Sequence, residues 1–416
     1  MKALLKSKEA SGIEARIAVT GSKSESNRLL LLQALYSNVV IENLSNSDDT
    51  NVLKQALETS SHTVDIHHAG TAMRFLTAYY ARTEGADVIL SGSKRMHERP
   101  IKILVDALKE LGANIEYIDV EGYPPLRIYG SKLEGDFVKM KANVSSQYIS
   151  ALLLIAPALP KGLTLELEGV ITSVPYIKMT LALLNQIDVT TLFEQNTICI
   201  SPKEDVKDTS YIVESDWSSA SYFYSLIALS NHSKVTLTSY SGKSLQGDAA
   251  LCDIYKDLGV DTVFNASETS ITLTKSDGKV SNFLSLNLSN TPDIAQTIAV
   301  TCFGLGIGCK LTGLHTLKIK ETDRLSALKT ELEKLGSAIS ITNDSLELEG
   351  SRAIAFSESN SGVCEIDTYQ DHRMAMAFAP LALKFPLIIN DPMVVTKSFP
   401  SFWKDLETMG VAVNFK

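Results

Sequence analysis

The sequence lacks the marks of several large protein classes. Its five cysteines, Cys199, Cys252, Cys302, Cys309 and Cys364, are odd in number and form no Cys-x-x-Cys pair or Cys/His metal spacing. Neither a disulfide framework nor a zinc site is implied, and reduced thiols in a cytosolic core are expected. No stretch reaches the roughly 18 unbroken apolar residues that cross a bilayer. Met1-Lys2-Ala3-Leu4-Leu5-Lys6 has neither the apolar region nor the cleavage site of a secretory signal, so a cytoplasmic protein is expected. Gly-x-x-x-x-Gly-Lys-Ser/Thr and Gly-x-Gly-x-x-Gly are both missing, which argues against the usual ATP and dinucleotide sites. No cysteine sits in a Cys–His nucleophile signature. Positive charge is in deficit, with a net charge of −9, so neither nucleic acid nor an anionic membrane is an expected partner.

What is present is a repeat. The 416 residues, 44% of them hydrophobic, leave room for two or three domains and an ample core. Four amphipathic helices end on glycine and lead into a β-branched strand, at Gly112, Gly259, Gly336 and Gly410. The spacings are 147, 77 and 74 residues, the first close to two of the others. The missing copy falls at Leu184-Asn185-Gln186-Ile187-Asp188-Val189, with its glycine replaced. A sixth, shortened copy is read at 52–58, followed by the strand-like 63–66.

A second kind of helix alternates with these: a polar opening, then a long apolar run. Lys23-Ser24 leads into 29–35, Gly70-Thr71 into 72–81, and Ser145-Ser146-Gln147 into 148–156. Asp216-Trp217-Ser218-Ser219 leads into 220–229, Asp293 into 294–303, and Asp371-His372-Arg373 into 374–383. Helices apolar nearly all round must be buried, yet their first N–H groups still need partners. Their polar openings therefore point to convergence on something polar. The pattern predicts six strand–helix–strand–helix–strand units, three to each half. The charged stretch 202–208 suggests a boundary, giving one domain over 21–213 and another over 1–20 plus 214–416.

The openings also carry the candidate chemistry. Gly21-Ser22-Lys23-Ser24-Glu25-Ser26-Asn27-Arg28 sets two cations at a helix start, where backbone N–H groups and the dipole already favour an anion. Lys320-Glu321-Thr322-Asp323-Arg324, taken alone, is only a charged first turn. Asp371-His372-Arg373 puts cations where the dipole disfavours them, which makes sense if an anion lies between. Lys23, Arg28, Arg74, Arg99, Lys320, Arg324, Arg373 and Lys397, set against Asp293 and Glu321, suit substrates with several phosphates and carboxylates and leave two acids to move protons.

Several of these motifs resemble one family. They are Gly21-Ser22-Lys23-Ser24-x-Ser26-Asn27-Arg28, Ala69-Gly70-Thr71-Ala72-Met73-Arg74 and Arg95-Met96-x-Glu98-Arg99-Pro100-Ile101, then Ser145-Ser146-Gln147 and Ser173-x-x-Tyr176. Lys320-Glu321-Thr322-Asp323-Arg324, Asp371-His372-Arg373-Met374-Ala375-Met376 and Lys397 complete the set, in order over essentially the whole chain. The family is 3-phosphoshikimate 1-carboxyvinyltransferase (5-enolpyruvylshikimate-3-phosphate synthase). The resemblance implies a two-domain, inside-out α/β barrel fold, each domain built of three βαβαββ units with buried helices. It implies transfer of the enolpyruvyl group of phosphoenolpyruvate to the 5-hydroxyl of shikimate 3-phosphate, with no cofactor and no metal, by a monomer.

Family roles then fall on matching positions. Lys23, Ser24, Arg28, Ser145, Ser146, Gln147, Ser173, Tyr176, Asp293 and Lys320 would hold shikimate 3-phosphate. Lys23, Gly70, Arg99, Gln147, Arg324, Arg373 and Lys397 would hold phosphoenolpyruvate. Asp293 would accept the 5-hydroxyl proton, and Glu321, alone or with Lys23, would protonate the methylene carbon. The chain departs from the family at His68, Phe75 and Thr316, and its first unit is shortened between Asp49 and His68. A sister transferase acting on a UDP-amino sugar relies on a loop cysteine, and the loop around 95–99 has none. A non-catalytic anion-binding protein would leave Asp293 and Glu321 without a purpose.

Overall fold

The computed structural model describes residues 1–8, 12–142, 145–278, 280–350 and 363–416. They form two compact units, one of Met1–Thr20 with Glu214–Lys416, the other of Gly21–Val213.

One sheet shows the building rule. Strand Phe283–Asn287 pairs in parallel with Gly308–Thr312, Ser345–Leu348 pairs antiparallel to the second, and Ile339–Ile341 lies at the edge. A parallel pair needs a crossover, here the helix Ala295–Leu305. The strand order first–second–fourth–third recurs in the sheets that begin at Glu14–Ile17, Thr63–Asp65 and Phe137–Lys141. In a fifth sheet Cys364–Ile366 and Leu387–Asn390 supply the parallel pair. The N-terminal strand Lys2–Ser7 takes the fourth place, and Val411–Phe415 lies at the edge. A sixth sheet has only the parallel pair Val39–Glu42 and Thr209–Ile212. This is the shortened copy. The strand at Thr63–Asp65 does not complete it, as the sequence reading had it, but opens the next sheet by pairing with Asp87–Ser91. A strand that follows a helix looks the same in sequence whether it closes one unit or begins another.

The helix ends follow backbone chemistry. Gly112, Gly259, Gly336 and Gly410 have φ of 103°, 80°, 84° and 80°, the left-handed region that ends a helix without a Cβ clash. Asp188 holds the same position at φ 59°, and the next N–H, of Val189, bonds back to Leu184 O at 3.2 Å. The equivalent bonds are Ala113 N to Leu108 O and Ser337 N to Leu332 O. Aspartate tolerates this conformation better than most residues, so the turn survives loss of its glycine.

In the unit containing both termini, the helices Trp217–Leu229, Ala295–Leu305 and His372–Phe378 pack on one another and form the centre of the core. In the other unit Lys23–Leu35, Gly70–Arg82 and Ser146–Ile155 do the same. Small polar residues let the central helices approach: Ser221 and Thr297 meet at 3.1 Å, and Thr301 donates to Ser225 at 2.8 Å one turn on. The openings need caps because they are buried. Ser22, Ser145, Asp216 and Asp371 each accept a backbone N–H of their own helix, whereas Gly70–Arg82 and Ala295–Leu305 have no side-chain cap.

Candidate active site

Each unit carries a polar cluster at its central helix openings. In the unit Gly21–Val213, Lys23 begins its helix and pairs with Asp49 at 3.1 Å. One turn later Arg28 is buried, its Nε donating to Thr180 Oγ1 at 2.8 Å and its NH2 to Ser150 Oγ at 2.9 Å and Tyr176 O at 3.4 Å. Its NH1 donates to Ser24 O at 2.7 Å, and the guanidinium lies 5.6 Å from the Phe75 ring and 5.7 Å from the Tyr176 ring. Burial pulls Arg28 down to about 10, since hydroxyls, carbonyls and ring faces replace water only in part. Phe75, a departure from the family pattern, thus forms one wall of the Arg28 site.

Gly70 begins the uncapped helix, and a Cβ built on it would lie 2.5 Å from Arg99 NH1. The glycine lets the Arg99 guanidinium lie against the helix start. Arg74 has a different part from the one its place among the openings suggested. It donates to Gly70 O at 3.1 Å and Pro100 O at 3.2 Å and stacks over Tyr148, so it ties down the segment that bears Arg99. Gln147 donates to Thr71 Oγ1 at 3.0 Å, and its own N–H goes to Ser145 Oγ. Ser146 is buried, and Ser173 sits at φ 55° just before the helix Val174–Gln186. Gly70→Ala is therefore expected to displace Arg99. A rise of roughly tenfold in KM for an anionic substrate held there, with thermal stability little changed, is the steady-state result to look for.

In the other unit, one arginine organises six charged residues. Arg324 is 2% exposed and donates from Nε to Asp371 Oδ2 at 2.7 Å, from NH1 to Asp293 Oδ1 at 2.9 Å and from NH2 to Glu321 Oε2 at 2.8 Å. Lys397 meets Glu321 Oε1 at 3.3 Å, Lys320 meets Asp293 Oδ1 at 3.5 Å, and Arg373 NH2 meets Asp293 Oδ2 at 3.3 Å. The guanidinium fork suits this work, because its fixed donors can address three carboxylates at once. Asp371, fully buried, also accepts Arg373 N at 2.8 Å, which caps the helix. Burial raises the Asp293 carboxyl, but Arg373, Lys320 and Arg324 outweigh it and hold the group well below the usual carboxylate range. Burial would lower Arg324, yet Asp371, Glu321 and Asp293 hold it above its ordinary value. Lys320 is lowered, chiefly by burial.

The structure thus brings Asp293, Lys320, Glu321, Arg324, Arg373 and Lys397 into one network, and Lys23 belongs to the other unit with Asp49 as its carboxylate. Sequence reasoning missed Asp49, and it missed Asp371 as a partner of Arg324, although an aspartate capping a buried helix was a usable signal. It also missed Ser218 and Asp248. Asp248 is 4% exposed, accepts from Ser218 Oγ, and is pushed up to about 7 by burial and then by the Asp293 charge. Thr316, another departure, has a buried hydroxyl with no hydrogen-bond partner among the described residues. No group of His, Cys, Asp and Glu with metal-binding geometry occurs among the described residues.

Two α/β units with arginines and lysines massed at buried helix openings define a protein equipped to hold small anions. Residues 53–406 match the family model described as EPSP synthase (3-phosphoshikimate 1-carboxyvinyltransferase), and the chain belongs to that family. It is 46% identical over 407 residues to the 3-phosphoshikimate 1-carboxyvinyltransferase of Bacteroides fragilis (strain YCH46), covering 97% of each chain. It is 34% identical over 434 residues to the protein of the same name from Mannheimia haemolytica, covering 96% of this chain and 98% of that one. A solved EPSP synthase from Acinetobacter baumannii matches over 100% of both chains with a TM-score of 0.77 at 20% identity, which shows a shared fold.

Proposed function

We infer that this chain is a 3-phosphoshikimate 1-carboxyvinyltransferase. It transfers the enolpyruvyl group of phosphoenolpyruvate to the 5-hydroxyl of shikimate 3-phosphate and releases phosphate, a step of aromatic amino acid biosynthesis. The observation that carries the reading beyond family membership is the Arg324 network, where four cations surround two carboxylates able to exchange protons, Asp293 and Glu321.

The residues divide as follows in this proposal. Arg324, Arg373 and Lys397 hold the carboxylate and phosphate of phosphoenolpyruvate, with Arg99, Gly70, Gln147 and Lys23 as further ligands. Ser145, Ser146 and Ser173 hold the phosphate of shikimate 3-phosphate, with Lys23, Ser24, Arg28, Gln147 and Tyr176 contributing. Lys320 and Asp293 address the shikimate hydroxyls. Glu321 protonates the methylene carbon, Asp293 takes the 5-hydroxyl proton, and the oxygen attacks the cation-like carbon so formed. The tetrahedral adduct then loses phosphate together with a proton from its new methyl carbon, which restores the carbon–carbon double bond. Fixed cations offset the mutual repulsion of the two substrates and act without reorganising. Each chain carries both clusters, so a monomer is the proposed active species, and the cytoplasm the proposed compartment.

The test is release of inorganic phosphate by the purified chain. Release that requires both substrates and is retained in excess chelator is expected. Release from phosphoenolpyruvate with a UDP-amino sugar instead, or none with either acceptor, would overturn the reading.

A further inference from the structure

We propose that Asp248 is a positioning residue for Arg373, acting through the hydroxyl of Ser218. This rests on the reading that Arg373 grips phosphoenolpyruvate.

The argument starts from what holds Arg373. Among its contacts, NH2 meets Asp293 Oδ2 at 3.3 Å and Ser218 Oγ at 3.4 Å. Asp371, the acidic neighbour in sequence, gives its carboxylate to Arg324 and to the Arg373 backbone. Asp293 is the proposed proton acceptor, and its charge changes during the reaction. An arginine steered by that group alone would shift as the charge came and went. Ser218 supplies a second anchor, one that takes no part in the proton transfer.

The hydroxyl has its own reason to face Arg373. Ser218 Oγ donates to Asp248 Oδ2, which leaves its lone pairs to accept from the guanidinium. Asp248 itself is held by a rigid brace. Its loop neighbour Gln246 accepts Trp217 N at 3.0 Å and donates to Ser215 O at 2.9 Å, locking the loop onto the start of the helix Trp217–Leu229. Asp248 Oδ1 is buried with no hydrogen-bond partner among the described residues. A buried carboxyl that makes so few bonds costs stability, and retention of such a group fits a task beyond folding.

The experiment is steady-state phosphate release with the full chain. Ser218→Ala is expected to raise KM for phosphoenolpyruvate about tenfold, while kcat changes less than threefold and KM for shikimate 3-phosphate less than twofold. Asp248→Asn keeps an acceptor for Ser218 and should raise the same KM about fivefold. The double variant should be no worse than Ser218→Ala alone, because both changes cut one relay. Ser218→Thr should restore near wild-type values. Multiplying effects in the double variant, equal rises in both KM values, or KM values within twofold of wild type would overturn the proposal. Phenylglyoxal modification of Arg373, followed by mass spectrometry, tests it apart from turnover. A several-fold faster reaction in Ser218→Ala is expected, and an unchanged rate counts against the relay. If wild-type protein releases no phosphate, the functional reading falls, and the modification rates still decide whether Ser218 anchors Arg373.

Discussion

Arg324→Leu is expected to unfold at a clearly lower denaturant concentration than wild type and to release no measurable phosphate. The substitution leaves Asp371, which is fully buried, and the mostly buried Asp293 and Glu321 without their common partner. Removing one side of a buried ion pair costs about 3–5 kcal/mol, because the remaining charge stays desolvated. Arg324→Lys is the sharper test. One ammonium cannot span three carboxylates that now receive separate guanidinium nitrogens, so stability should fall by less and phosphate release by roughly 10²-fold or more. The pH dependence has a definite sign. Arg324 is one of the cations that hold the Asp293 carboxyl low, so in Arg324→Leu the part of the defect carried by Asp293 is present above the ordinary carboxylate value of about 3.9 and shrinks as pH falls below it. Guanidinium unfolding curves between pH 3.5 and 8 check this. A Leu variant as stable as wild type at pH 7 would mean the network is not held together through Arg324.

Much of this network could be read from the sequence because its members lie at helix openings, where residue type is informative. A histidine and an arginine just after an aspartate at the start of a wholly apolar helix conflict with the dipole, and that conflict marked 371–373. The helix ends were equally legible. Leu-Gly or Met-Gly before a β-branched strand reports a left-handed residue, and the spacing exposed the Asp188 copy without its glycine. What stayed hidden depends on partners distant in the chain. Nothing local in Lys2–Ser7 says that it lies between Leu387–Asn390 and Val411–Phe415. Arg74 looked like an anion ligand, and only its contacts reveal that backbone carbonyls occupy it. Asp248 lies in the short 3-10 turn Gly247–Ala250, 30 residues from Ser218, and no motif connects them.

Asp293→Asn is expected to lower kcat by roughly 10²–10⁴-fold while dissociation constants for both substrates change by less than about fivefold. The substitution keeps the size of the side chain and removes its capacity to take a proton. There is an apparent conflict to resolve. Arg373, Lys320 and Arg324 hold the free carboxyl well below its usual range, and so acidic a group is a poor base. The same cations are the proposed ligands of the substrates. Each bound phosphate or carboxylate offsets part of their charge and adds negative charge nearby, and both effects raise the Asp293 pKa. On the proposed reaction, substrate binding would thereby turn a structural counter-ion into a base at the moment a proton must be accepted. Before binding, the depressed pKa is a source of stability. It is fully present above the ordinary carboxylate value of about 3.9 and is lost as pH falls toward the native value. Asp293→Asn should therefore be less stable than wild type at pH 7 and lose that deficit in acid. Calorimetric binding, single-turnover kinetics and unfolding at two pH values separate the two functions. A near wild-type kcat would remove Asp293 from the chemistry, and a loss of binding as large as the loss of kcat would reduce it to a charge partner of Arg373 and Arg324.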